Sequence, residues 1–123
     1  MLSYQRLLGF FMLSLILASC ARRQEAFYFG DYSQAEAFYN RGEYEQAILK
    51  YQAYKDQNPE GNLAVIASYY IAKSHAALGR SEEAKRIFRN IVEEKRDAVW
   101  THFAQTQLKE LEAPQNNSPQ QTS

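Results

Sequence analysis

Few residues in this sequence of 123 have side chains that could carry out chemistry at a site. The two histidines, His75 and His102, are far apart in the chain, and no HExxH, CxxC or glycine-rich phosphate-loop motif accompanies them. We therefore predict no catalytic residue, no metal site, no cofactor and no small-molecule substrate, and we expect His75 to pack inside a helical hairpin. Cys20 is the only cysteine. Because it has no partner for an intramolecular disulfide, its thiol needs another explanation.

The residues before Cys20 have the pattern of an export signal. Arg6 provides a positive charge, and residues 7–18 are almost all strongly apolar. A helix of this length rises only about 18 Å, which is too short to cross a bilayer but typical of the apolar part of a signal peptide. Residues 1–19 are therefore predicted to be a signal peptide.

This segment ends with Leu17, Ala18, Ser19 and Cys20. The four residues resemble the lipobox of bacterial lipoprotein precursors, which consists of an aliphatic residue, two small residues and a cysteine. The resemblance implies cleavage before Cys20, a lipid on its sulfur, and stable anchoring by two or more acyl chains. Because Ala21 is not an Asp, it also implies transfer to the outer membrane, with the chain on the periplasmic face. An ordinary signal peptide with a cysteine at its cleavage point is the alternative.

The charge balance argues against a nucleic-acid partner. The chain has 14 Lys and Arg residues and 14 Asp and Glu residues, whereas phosphate binding requires a basic surplus. Hydrophobic residues make up 46% and aromatic residues 14% of the sequence, which is enough for a packed core. After the signal we expect a lipidated cysteine with a short linker (20–27), a helical domain (28–112) and an uncharged, disordered tail (113–123).

Five helices are predicted after the linker, because apolar residues recur every three to four positions. We expect Ser33 to cap the first helix as part of a capping box, Ser81 to cap the fourth and Asp97 to cap the fifth. Gly42 and Gly79 can adopt the left-handed conformation that ends the first and third helices. Short loops predict antiparallel neighbours. The predicted ranges are 33–41 for the first helix, 63–78 for the third and 82–95 for the fourth.

The apolar positions of these helices define a candidate core. On the second helix they are Tyr44, Ala47, Ile48, Tyr51 and Tyr54. On the fifth helix they are Trp100, Phe103, Ala104, Leu108 and Leu111. We expect Trp100 to close the last hydrophobic layer.

The helix pairs repeat in sequence. Gly42-x-Tyr44-x-x-Ala47-x-x-x-Tyr51, followed by Pro59, recurs as Gly79-x-Ser81-x-x-Ala84-x-x-x-Phe88. This pattern resembles the tetratricopeptide repeat, whose alanines are small because two helix backbones approach closely there. The resemblance implies an all-α fold of antiparallel helix hairpins, about two repeats plus a capping helix, stacked as an α-solenoid. The two alanines are three residues further apart than the usual period of about 34, which predicts a longer inter-repeat loop or a longer third helix.

The same resemblance implies a concave groove that binds a peptide or a partner helix. The groove positions of the family correspond here to Tyr32, Glu36, Tyr39, Asn40, Tyr69 and Lys73. Tyr39 and Tyr69 could equally be packing residues. The lysine and asparagine pattern that clamps a peptide carboxylate in some relatives is absent, since Tyr69 and Lys73 stand at those positions.

A lipobox followed closely by such repeats is similar to the lipoprotein subunit of the outer-membrane β-barrel assembly machine, although this chain is much shorter. The resemblance implies a lipid-anchored, non-enzymatic adaptor that binds a protein or peptide in the periplasm, in envelope or outer-membrane assembly. The alternative is a pilotin-like escort that carries an outer-membrane or secretion subunit to its destination and then leaves it.

Overall fold

The computed structural model of the protein describes residues 30–114. The predicted signal peptide (1–19), the predicted lipidated Cys20 with its linker (20–27) and residues 115–123 of the predicted tail lie outside the described residues. Residues 30–114 form helices and no strands, which confirms the all-α class. The helices are α1 (Asp31–Asn40), α2 (Tyr44–Gln57), α3 (Asn62–Ala77), α4 (Ser81–Glu94) and α5 (Ala98–Glu112).

One of the three predicted helix caps is confirmed. The Asp97 carboxylate accepts hydrogen bonds from the backbone N–H groups of Val99 and Trp100, at 2.9 and 3.1 Å. The predictions for Ser33 and Ser81 are wrong. Ser33 lies inside α1, Ser81 is the first residue of α4, and neither helix has a side-chain cap.

Helices α1 and α4 both begin earlier than predicted, at Asp31 and Ser81. In each case the reason is a contact with a residue outside the helix. The Asp31 carboxylate accepts hydrogen bonds from Lys50 Nζ at 2.9 Å and from Gln57 Nε2 at 3.1 Å, which fixes the first turn of α1 on α2. The backbone N–H of Arg80 donates to the carbonyl of His75 at 2.9 Å. This bond closes the turn after α3 at Arg80, so that α4 begins at the next residue.

Two glycines end α1 and α3 as predicted. Gly42 has a φ of 75° and Gly79 a φ of 77°, in the left-handed region that favours glycine. Their N–H groups donate to the carbonyls of Tyr39 and Ala76, at 2.9 and 3.0 Å. Each turn therefore reverses the chain within three residues and forms a helical hairpin.

The five helices form two layers. Each helix packs on the next one along the chain, and α3 also touches both α1 and α5. Helices α1, α3 and α5 are therefore one layer, and α2 and α4 are the other. This arrangement confirms the predicted stack of helix hairpins, with α5 as a capping helix.

The unusual repeat spacing comes from both of the predicted sources. The loop at residues 58–61 is one residue longer than the other three loops. Helix α3 has 16 residues, two more than the 14 residues of α2 and of α4. One loop residue and two helix residues account for the three extra positions.

The core consists mainly of two clusters of buried side chains, and α3 contributes residues to both. The first contains Tyr32, Ala35, Ala47, Tyr51, Ala67 and Ile71. The second contains Val65, Ala72, Ala84, Phe88, Ile91 and Ala104. Ala47 and Ala84 are completely buried, as expected for residues at a close helix crossing. Tyr44 and Tyr54, predicted in the core, are half-buried at its edge.

The apolar stripe predicted for α5 is wrong at one position. Trp100, Leu108 and Leu111 pack against the second cluster, and Ala104 is part of it, whereas the Phe103 side chain is 45% exposed. Phe103 lies beside α3 on the face of α5 that no other described helix covers. It therefore belongs to the surface of the layer formed by α1, α3 and α5.

Candidate functional site

The exposed face of α1, α3 and α5 is the candidate binding site, and we call it the inner surface. Its side chains come from one face of each helix: Glu36, Tyr39, Asn40, Tyr69, Lys73 and Phe103. Five of these six residues were predicted for the groove, and Phe103 was not. The three helices share one layer, so their exposed side chains form one continuous surface.

Aromatic rings run across the inner surface from α1 to α5. The Tyr39 ring centroid lies 5.0 Å from that of Tyr70, and the Tyr70 ring lies 5.5 Å from that of Tyr69, both edge to face. The Tyr69 ring then lies 5.1 Å from Trp100 and 6.3 Å from Phe103. Each ring of the band therefore packs against the next.

Tyr39 and Tyr69 are each half-buried. Burial raises the pKa of both phenols, so both are neutral at physiological pH. One side of each ring packs on the core, and the rest is exposed on the inner surface. The two alternatives predicted for these tyrosines, packing and recognition, are compatible in this geometry.

Tyr32, also predicted for the groove, is a core residue. Its side chain is 6% exposed, and its ring packs edge to face against the rings of Tyr51 and Tyr54, at 5.4 and 5.2 Å. Burial raises its pKa to about 12. The groove position of α1 is therefore occupied by Glu36 and Asn40, which are exposed.

A polar network crosses the inner surface beside the aromatic band. Lys73 Nζ of α3 donates to Gln107 Oε1 of α5 at 3.0 Å, and Gln107 Nε2 donates to Glu110 Oε2 at 2.9 Å. Lys73 is thus already bonded within the chain, and the surrounding side chains are not those of a carboxylate clamp. The inner surface presents aromatic area with a polar margin.

The sequence reasoning missed the residues that α5 contributes. Phe103, Gln107 and Glu110 lie on the capping helix, which does not carry the repeat motif. The signal was nevertheless present, because a capping helix that follows α3 must continue the same layer. Projecting the groove positions onto a third inner helix would have selected this face of α5.

His75 lies away from the inner surface. It is half-buried, and its Nδ1 atom is buried without a hydrogen-bond partner in the described part of the chain. Burial lowers the pKa of the imidazole. It packs within its hairpin, as expected, but it also lines a cleft between α2 and α4.

Two other kinds of site are absent from residues 30–114. No group of His, Cys, Asp and Glu side chains in that range is arranged to hold a metal ion. None of its helices combines the length and the apolar character needed to span a bilayer.

A comparison with known protein families agrees with the repeat geometry. A model described as tetratricopeptide repeat matches residues 14–61 and 67–94, which is more than half of the 123 residues. The chain belongs to the tetratricopeptide repeat family. The matched ranges contain α1, α2, α4 and most of α3, so that α5 follows the second tetratricopeptide repeat as its cap. No curated protein matches the chain.

Membership of the family indicates a class of function. Tetratricopeptide repeats mediate contacts between proteins, and proteins built from them are typically non-enzymatic scaffolds. The repeats therefore indicate an adaptor that binds other proteins.

Proposed function

We propose that this tetratricopeptide protein is a lipid-anchored adaptor of the bacterial cell envelope that binds a protein partner in the periplasm through its inner surface. The lipid anchor is Cys20, and the membrane is the outer membrane. The partner belongs to the machinery of envelope or outer-membrane assembly. The proposal rests on one structural observation, the partly exposed aromatic band, and on one sequence motif, the lipobox.

The exposed apolar area of the inner surface is the evidence that this surface binds a partner protein. Phe103 is 45% exposed and Val99, one turn earlier on α5, is 59% exposed. Val99 shares a helix face with Phe103 because the two are four residues apart, and the half-buried Tyr39 and Tyr69 add aromatic area to the inner surface. Aromatic side chains of this kind contribute much of the free energy at protein interfaces, because they bury a large rigid area with little loss of entropy.

The distance between the anchor and the repeats fits a membrane-proximal adaptor. Helix α1 begins at Asp31, eleven positions after Cys20. A chain of that length spans at most about 40 Å even when fully extended. A protein held by a lipid on Cys20 would therefore keep its inner surface close to the membrane and to partners that reside there.

Labelling with palmitate tests the anchor. We expect the wild-type protein to incorporate labelled palmitate and the Cys20→Ala variant to incorporate none, because the thiol is the proposed attachment atom. Fractionation should move the variant out of the outer-membrane fraction. Equal labelling of the two proteins would show that Cys20 is not lipidated and would remove the anchor from the proposal.

Crosslinking in cells tests the binding surface. The Phe103→Ser variant removes an exposed inner-surface ring, and Leu49→Ser is the matched control because Leu49 is 70% exposed on α2. We expect purification after crosslinking to recover a partner with wild type and Leu49→Ser, and much less of it with Phe103→Ser. Equal recovery with all three would place the binding site elsewhere.

Purification without crosslinking separates the adaptor from the pilotin-like escort. An adaptor remains in a stable complex, with its partner in stoichiometric amount. An escort is lost from the complex, and its deletion leaves the client subunit in the wrong membrane. The second result would replace the adaptor role while keeping the inner surface as the binding site.

A further inference from the structure

The inner surface changes in character from one end of its helices to the other. Neighbouring helices are antiparallel, so α1, α3 and α5 all begin at the same end of the stack. The loops at 58–61 and 95–97 lie at that end, where Arg96 donates to the carbonyl of Pro59 at 3.0 Å. We call it the anchor end, because the proposed lipid attachment site precedes α1 in the chain.

The half of the inner surface nearest the anchor end is apolar. Val99 is 59% exposed and Phe103 is 45% exposed, one turn apart on α5. Ile66 and Tyr69 lie one turn apart on α3, and both are half-buried. The Tyr69 ring lies 6.3 Å from the Phe103 ring. These four side chains, which we call the apolar half, include no amide and no charged group.

A polar bridge marks the end of the apolar half. Lys73 Nζ donates to Gln107 Oε1 at 3.0 Å, and Gln107 Nε2 donates to Glu110 Oε2 at 2.9 Å. The bridge joins α3 to α5 one turn beyond Tyr69 and Phe103, and it uses both polar atoms of the Gln107 amide. A partner that extended past it would compete with these bonds. From Ala98 to Gln107 the apolar half is about 14 Å long.

The apolar half suits a helical partner better than an extended one. Backbone N–H and C=O groups need hydrogen-bond partners, and the four side chains offer only the hydroxyl of Tyr69. An extended chain placed there would leave backbone groups unpaired, which is costly, whereas an α-helix pairs them internally. Its side chains also recur at about 6 Å along one face, which matches the spacing of Val99 and Phe103.

The anchor end has a surplus of negative charge. The terminal helical turns and the two loops at this end contain six carboxylates and three cations: Asp31, Asp56, Glu60, Glu93, Glu94 and Asp97 against Lys55, Lys95 and Arg96. With Lys50 added, because it pairs with Asp31, six carboxylates against four cations leave two net negative charges. All members of ion pairs are included in this count. The surplus attracts a basic segment and disfavours contact with an anionic lipid surface.

We propose that the apolar half of the inner surface binds an amphipathic α-helix of the partner protein, with aliphatic side chains one turn apart on Val99 and Phe103 and a Lys or Arg at the anchor end. The inference rests on the proposed function, because it names the partner segment for the same surface. It adds an orientation, with the basic end of the bound helix towards the membrane. The bound helix ends near the bridge from Lys73 to Gln107.

Titration with synthetic helices, followed by NMR, tests this proposal on the purified full-length chain in nanodiscs of zwitterionic lipid. The first probe has about 16 residues, with leucines at every third and fourth position and two lysines at one end. The second probe has glutamates in place of the lysines. The third keeps the lysines but has leucines at every second position, as in a strand.

We expect only the first probe to bind well. With labelled isoleucine and valine methyl groups, it should shift the signals of Ile66 and Val99 and leave Ile48, which lies between α2 and α4, unchanged. It should bind about fivefold more tightly than the glutamate probe, because an exposed ion pair contributes little more than this. It should bind about tenfold more tightly than the strand probe, whose backbone would lose hydrogen bonds.

A pair of exposed residues separates the apolar half from the rest of the surface. Val99→Asn should weaken binding of the first probe about tenfold. Leu49→Asn is the matched control, because Leu49 is exposed on α2, and it should leave binding unchanged. Equal or tighter binding of either other probe, or the same loss in Leu49→Asn, would overturn the proposal.

A lipid occupant is the alternative that the same sample can detect. Broadening of the Val99 signal by a spin-labelled lipid, with no probe present, would show that lipid covers the apolar half and would also overturn the proposal. The proposed function is tested separately. A partner that is crosslinked in cells and lost in Phe103→Ser would support that function even if no helix probe bound.

Discussion

The two repeats place different side chains at the same structural positions. Tyr51 in the first repeat and Phe88 in the second are both fully buried. The Tyr51 ring stacks on Tyr70 at 5.8 Å and meets the edge of Tyr32 at 5.4 Å, whereas Phe88 packs among aliphatic residues and the ring of Tyr69. The repeat thus requires a large ring at this position but does not specify its chemistry.

The alanine positions accept fewer residue types than the ring positions do. Ala47 and Ala84 are identical in the two repeats, and both are completely buried. We expect no larger side chain to fit there, because both alanines are completely buried and packed interiors leave few voids. The comparison therefore separates what the fold requires, a small residue at the crossing, from what each repeat can vary, the surroundings of the ring.

Overpacking the helix crossings should have the largest effect. Ala47→Trp and Ala84→Trp each force a large ring into a close crossing, which we expect to cost about 1–3 kcal/mol or more. In a domain of this size that is a large part of the total stability. Thermal unfolding of the two purified variants measures it. A melting temperature unchanged in either variant would contradict the requirement for a small residue at that crossing.

Alkaline pH should distinguish the first repeat from the second. Burial raises the pKa of Tyr32 from 10.0 to about 12, so the folded state retains a proton that the unfolded state loses. The stability from the neutral phenol is fully present below pH 10 and is lost as the pH rises through about 12. The free energy of unfolding should therefore fall over this range.

The Tyr32→Phe variant isolates this contribution from the titration of lysines. We expect wild type and variant to have similar unfolding free energies at pH 8, and the variant to be the more stable at pH 12. The buried residues of the second cluster do not titrate, and Tyr69, which packs against that cluster with a pKa also raised by burial, is less buried than Tyr32. If the free energies of unfolding of wild type and Tyr32→Phe changed in parallel with pH, Tyr32 would ionise equally easily in the folded and unfolded states, which would contradict the prediction.

The helix caps should give the smallest effects. Asp97→Ala removes two hydrogen bonds to the start of α5, which we expect to cost about 0.5–2 kcal/mol. Ser33→Ala and Ser81→Ala remove no capping bond, so each should change stability by less than about 0.5 kcal/mol. Denaturant unfolding of the three variants checks this order. A larger loss in either serine variant than in Asp97→Ala would reverse it.

The parts of the fold that depend on local signals could be predicted from the sequence. Gly42 and Gly79 mark helix ends because the left-handed conformation is a property of the residue itself. The spacing of the alanines and rings indicated the stacked hairpins, because it repeats within short stretches of the sequence. The start of α1 could not be predicted, because it depends on Asp31 bonding to Lys50 and Gln57 of another helix.

The binding surfaces were less accessible to sequence reasoning. Tyr32 occupies a position that faces the groove in the family pattern, but here the rings of Tyr51 and Tyr54 pack over it. Phe103 matches the apolar spacing of a buried stripe, yet it is 45% exposed on α5, where none of the described helices covers it. The cleft between α2 and α4 depends on the relative placement of these two helices, which no single segment of sequence specifies.

Site-specific photo-crosslinking in cells tests the central claim, that the inner surface binds a protein partner. A photo-reactive amino acid replaces Glu36, which is exposed on α1, or Leu49, which is exposed on α2. We predict a covalent adduct with one partner protein from the Glu36 position and none from Leu49. An adduct from Leu49 alone, or equal adducts from both positions, would contradict the assignment of the inner surface as the binding site.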